Sequence, residues 1–174
     1  YKPSKINTLV KLETDLNTYV SKTISSNLST HISVYVRSMN NGPWIGINHQ
    51  NNFSPASLLK VPIMIAVFKK IESDRSLMNK KIQYNNSISD KSYAPNIQDK
   101  DLIKLGNSYT IIELIEYMII HSDNEAKELL VAFAGTEYIL DVMKDIGVNV
   151  TDNDLSGDFV SVKGYSSNFR MLYN

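Results

Sequence analysis

Ser57 and Lys60 stand three residues apart in Ser57-Leu-Leu-Lys60, a spacing that places two side chains on one face of a helical turn. The chemistry that suits such a pair is nucleophilic acyl transfer. A serine hydroxyl is a weak nucleophile at neutral pH and needs a base beside it. Lysine serves as that base only where burial or a neighbouring positive charge lowers its pKa enough to leave it neutral. The run 58–71 is apolar almost all round, which predicts a helix buried on every side and so supplies the desolvation. The N-terminus of that helix aims backbone N–H groups, that of Ser57 among them, at the point where an oxyanion develops.

A second group, Ser122-Asp123-Asn124, falls in a break between two apolar helical runs. Ser122 offers a hydroxyl to relay a proton to a leaving nitrogen, and the Asn124 amide can hold Lys60 and a substrate carbonyl together. Both groups also have plainer readings. One S-x-x-K spacing is expected by chance in a chain this rich in serine and lysine. Ser57 then serves as a helix N-cap, and Ser122 and Asp123 cap the helix that follows.

The elements that must position these residues follow from periodicity. Ile6, Leu9, Val10, Glu13, Leu16, Tyr19, Val20 and Ile24 keep a near-3.6 rhythm, predicting an amphipathic helix over 5–25. Ile32, Val34 and Val36 alternate with Ser33, Tyr35 and Arg37. The turn signal Asn40-Asn41-Gly42 and a second β-like run, 44–48, complete a hairpin over 31–49. The central helix covers 57–72, and the polar stretch 79–109 reads as loop with short turns of structure bordering a cleft. From 110 to 173 the chain is mostly helical. Thr110-Ile-Ile-Glu113 is a capping box, and the helix it opens runs to His121. One further helix reaches Gly135, another spans 137–146 before Gly147, and a last one covers 162–173. No repeat or linker divides the chain, so a single α+β domain is expected.

Composition narrows the function classes. The chain has 174 residues, 43% of them apolar and 21% charged, a balance that can bury a core. Eighteen basic and eighteen acidic residues cancel, so no global field draws nucleic acid or an anionic membrane. The longest apolar run, 61–68, is far below the ~20 residues that cross a bilayer. Without cysteine there are no disulfides, thiolate nucleophiles or cysteine-ligated metals, and His31, His49 and His121 keep no metal-ligand spacing. No metal or other cofactor is expected. No basic-then-apolar leader opens the sequence, and export with the signal or anchor outside this chain is the expectation.

Phe53-Ser-Pro-Ala-Ser57-Leu-Leu-Lys60 resembles the active-site serine motif of the class A β-lactamases, and Ser122-Asp123-Asn124 resembles their S-D-N loop, in the same order and at a similar separation. The hairpin before the first motif, the apolar helix before the second and the run Asn124-Glu-Ala-Lys-Glu-Leu-Leu are similar too. The resemblance implies a β-lactamase/transpeptidase-like fold, a helical subdomain plus an antiparallel sheet. It implies an acyl-Ser57 intermediate, Lys60 as base, Ser122 as proton relay and Asn124 as a substrate-orienting residue. Tyr93, in the loop before the S-D-N helix, is a candidate for the aromatic lip of the cleft, with an ordinary surface tyrosine as the alternative reading. The substrates implied are β-lactams or related cell-wall peptide amides.

Two departures qualify that expectation. The Lys-Thr-Gly or Lys-Ser-Gly motif of the family, and the strands around it, do not occur among the 174 residues. The domain is therefore expected to be incomplete, with a further segment or a second chain completing the sheet. The stretch 147–162, where the family carries a deacylating glutamate, holds only Asp152, Asp154 and Asp158, so slow deacylation is expected. Asp152-Asn-Asp154-Leu-Ser156-Gly157 resembles the start of a calcium loop, but Lys163 stands where the bidentate glutamate belongs, and an ordinary turn is expected. A D,D-peptidase or penicillin-binding protein, and a catalytically idle binding domain on the same fold, remain as alternatives.

Overall fold

The structure, a computed structural model, describes residues 3–39, 42–86, 101–148 and 160–173, with side chains of the first helix from Leu9 onward. In chain order the elements are α1 (Pro3–Ser25), β1 (Val34–Arg37), β2 (Trp44–Ile47), β3 (Asn52–Phe53), a 3₁₀ turn (Ala56–Leu59), α2 (Lys60–Ser73) and a second 3₁₀ turn (Arg75–Asn79). Then come β4 (Lys81–Gln83), β5 (Ser108–Thr110), α3 (Ile111–Ile120), α4 (Asn124–Ala134), α5 (Thr136–Asp145), β6 (Val160–Ser161) and α6 (Val162–Tyr173). They form two compact units, one made of residues 1–54 with 147–174 and the other of residues 55–146. No linker-like composition marks either join.

In the first unit β1 and β2 form the expected antiparallel hairpin, Val34 opposite Ile47 and Val36 opposite Ile45. Ile45 and Ile47 are buried, and α1 packs against β2. The apolar stripe of α1 is narrower than its periodicity implies. Val20 is buried and Leu9, Leu16 and Ile24 are half-buried, whereas Val10 and Tyr19 face solvent. The helix closes in a Schellman motif, with Asn27 at φ 57° and Leu28 N–H bonded to the Thr23 carbonyl. The hairpin turn residues Asn40 and Asn41 lie outside the described residues. A second, two-residue antiparallel pair joins β3 to β6.

The second unit is helical. Its α2 packs on α3, α4 and α5, and Ile63, Val67, Leu114, Met118, Leu130 and Ile139 are fully buried. No residue of 60–71 is exposed, as its all-round apolar character predicts. The helix does not begin at Ser57, however. Residues 56–59 are a 3₁₀ turn, and the α-helix starts at Lys60, with Pro62 in its first turn where the missing N–H costs nothing. The predicted loop 79–109 holds the antiparallel pair β4–β5, Ile82 opposite Tyr109, which delivers the chain to α3. There the capping box is present: Thr110 Oγ1 accepts the Glu113 N–H and Glu113 Oε2 accepts the Thr110 N–H.

Candidate active site

The 3₁₀ turn, the start of α2 and the break between α3 and α4 bring together Ser57, Lys60 and Ser122, all within the second unit. Lys60 Nζ donates to the Ser122 carbonyl at 2.5 Å and to Ser122 Oγ at 2.7 Å. Ser122 Oγ in turn donates to Ser57 Oγ at 3.1 Å. Direct Ser57–Lys60 pairing was expected from their spacing. Instead the lysine reaches the Ser57 hydroxyl through Ser122, whose carbonyl and hydroxyl both accept from the amine. Ser57 is exposed while Lys60 is 4% exposed, so an accessible hydroxyl stands before a buried amine.

Neither plain reading of the two serines holds. The caps of the 3₁₀ turn and of α2 are Pro55 and Leu59, without side-chain bonds, so Ser57 caps neither. Asp123 does cap α4, its Oδ1 accepting the Ala126 N–H at 3.1 Å. Its Oδ2 takes the Ile103 N–H at 2.8 Å, so this fully buried carboxylate ties the 101–107 segment to the turn. Ser122 caps nothing and sits at φ 55°, and Ala56, just before Ser57, at φ 44°. Two non-glycine residues in the left-handed region cost about 1–2 kcal/mol each, and such strain collects at functional sites.

Burial is the largest influence on the Lys60 ammonium, followed by the positive charge of Lys127, and together they bring its pKa down to about 8 against the opposing pull of Asp123. Lys127, on α4, is itself paired with Glu128 at 2.7 Å. Sequence reasoning missed its role. The available signal was a lysine one helical turn beyond Asp123. Asn124 opens α4 and is half-buried, but no hydrogen bond joins it to Lys60 among the described residues. Tyr93 and the aspartates 152, 154 and 158 lie outside the described residues, as does most of the calcium-like segment. Among the described residues no group of three or more His, Asp or Glu is placed to hold a metal ion, and no helix is long and apolar enough to cross a membrane.

The arrangement has the elements of an acyl-transfer site: an accessible hydroxyl, a second hydroxyl hydrogen-bonded to it, and a buried amine of lowered pKa behind both. The sequence model of the β-lactamase enzyme family matches residues 11–171. The chain belongs to this β-lactamase-like serine hydrolase family. Its fold is the β-lactamase/transpeptidase-like one, mostly helical with small antiparallel sheets. Similar solved structures include a β-lactamase from Francisella tularensis, at TM-score 0.71 and 20% identity, over 90% of this chain and 61% of that one. Another is a β-lactamase from Chitinophaga pinensis, at TM-score 0.67 and 19% identity, over 90% and 67%. A third is the acyl-enzyme complex of a PBP-A mutant with penicillin G, at TM-score 0.66 and 16% identity, over 95% and 68%. None of the curated proteins matches the sequence. The chain spans 54% to 68% of the length of solved structures that it resembles.

Proposed function

We propose that this chain carries the nucleophile, proton relay and base of an exported serine acyl-transfer hydrolase of class A type, acting on β-lactams or related cell-wall peptide amides through an acyl-Ser57 intermediate. The observation that carries the reading is the hydrogen-bonded chain from Lys60 Nζ through Ser122 Oγ to Ser57 Oγ. With Lys60 neutral, the Ser57 proton passes to Ser122 Oγ as the Ser122 proton passes to Lys60 Nζ, and Ser57 Oγ adds to the substrate carbonyl carbon. As the C–N bond breaks, the proton returns from Lys60 through Ser122 to the leaving nitrogen. Asn124 orients the substrate from the first turn of α4. Export follows from the substrate class, since cell-wall peptides lie outside the cytoplasm.

Deacylation is slow in this reading, because 147–162 offers no glutamate to activate a water. That same stretch favours a penicillin-binding or D,D-peptidase activity as the second reading. A chromogenic β-lactam tests both. The expected trace is a burst of about one ring opening per chain followed by a slow steady rate. Fast turnover without a burst would make the protein an efficient β-lactamase, and no ring opening at all would remove the acyl-transfer reading.

A further inference from the structure

Ser122 holds its strained backbone at the end of α3, fixed by groups on either side of it. The Tyr117 carbonyl accepts both the His121 N–H and the Asp123 N–H, each at 3.2 Å, closing the turn on either side of Ser122. The rings of Tyr117 and His121, one helical turn apart and both half-buried, pair at 5.7 Å between centroids. Tyr109 of β5 meets the other side of Tyr117 edge-on at 5.6 Å. The Tyr109 hydroxyl accepts the Lys104 N–H at 2.8 Å and the Asn107 amide at 3.3 Å. The row Tyr109–Tyr117–His121 thus runs from the 104–107 segment to the residue preceding Ser122.

We propose that Tyr117 and His121 are positioning residues for Ser122, their ring pair and the shared Tyr117 carbonyl keeping the left-handed turn in which Ser122 Oγ and carbonyl both face Lys60. A serine at φ 55° relaxes to a negative φ unless its neighbours over-determine the turn. Relaxation would swing the Ser122 carbonyl and hydroxyl, the two acceptors of the Lys60 ammonium, away from it. An aromatic pair on the final helical turn resists that motion through contact area, which any planar ring of similar size supplies.

The inference gives Ser122 its place in the proposed acyl transfer and rests on that reading for its catalytic consequence, but its test does not need turnover. Lysine acetylation by a small anhydride, mapped by peptide mass spectrometry, reports access to Lys60, with Lys70 on the same helix as internal reference. His121→Ala is expected to raise Lys60 acetylation about five-fold or more with Lys70 unchanged, and His121→Phe to restore the wild-type rate. If the alanine variant does not fold, His121→Asn carries the same expectation. Unchanged Lys60 labelling in the ring-deleted variant, a parallel rise at Lys70, or no restoration by phenylalanine would each overturn the inference. A wild-type chain that shows this protection yet never reacts with a β-lactam would instead defeat the acyl-transfer reading and leave the positioning role standing.

Discussion

Two lysines on α2 do the same thing at different places, and only one of them reaches a hydroxyl that leads on to Ser57. Lys70 Nζ donates to the Ala134 and Phe133 carbonyls at the end of α4, at 2.7 and 3.3 Å, and lies over the Phe133 and Tyr138 rings. Lys60 Nζ donates to the Ser122 carbonyl in the turn after α3. Each ammonium meets free carbonyls at a helix end, where a cation is favoured. The ends differ. The α4 turn is made by Gly135 at φ 90° and carries no side-chain chemistry, whereas the α3 turn is made by a serine at φ 55° whose hydroxyl leads to Ser57. At the ends of α1 and α4 the positive-φ residue is an asparagine and a glycine, and after α3 it is a serine. Where the turn needs a hydroxyl the chain accepts strain.

The widest separation between the two lysines should appear on replacing each by methionine. Lys60→Met is expected to slow acylation by ~10³-fold, since it removes the base. Lys70→Met should leave acylation within ~3-fold and instead cost about 1–2 kcal/mol in denaturant unfolding, through the lost helix-end bonds. Equal losses of acylation in the two variants would erase the distinction. The two turns separate next. Ser122→Gly should slow acylation by ~10²-fold while stability holds or rises by up to ~1 kcal/mol, as the strain is relieved. Gly135→Ala should cost ~1–2 kcal/mol with acylation untouched, because a Cβ there meets nothing within 4 Å and only the backbone objects.

Smaller effects concern pH. With the Lys60 pKa at about 8, the neutral base is about a tenth of the population at pH 7. Acylation should therefore rise about tenfold per pH unit below 8 and level above it. Lys127→Gln removes the second cause of that low pKa and should move the rising limb upward, slowing the reaction a few-fold at pH 7. The same shift has a stability counterpart. Between about pH 8 and the ordinary 10.5 the unfolded chain holds a proton that folded Lys60 has released, so this residue's contribution to stability rises with pH across that window and is lost below it.

Much of this was legible in the sequence. The helices announced themselves because 10 to 23 residues contain several turns of apolar period, and because Thr110, Gly135 and Gly147 mark their ends. The pairs β3–β6 and β4–β5 were not legible, because strands of two or three residues hold barely one period of alternation. Ser57, Lys60 and Ser122 were found by type and spacing. The order in which they connect was not, since it depends on a contact between residues 62 apart. The left-handed backbone of Ser122 was hidden too, because propensity assigns that conformation to glycine or asparagine.

The central claim, that Ser57 is the acylated nucleophile, is tested most directly by intact-protein mass spectrometry of the wild-type chain and its Ser57→Ala variant, before and at intervals after adding a penicillin. The account predicts a persistent adduct of one penicillin mass on the wild type and none on the variant. An adduct that forms equally on both, or on neither, would contradict it.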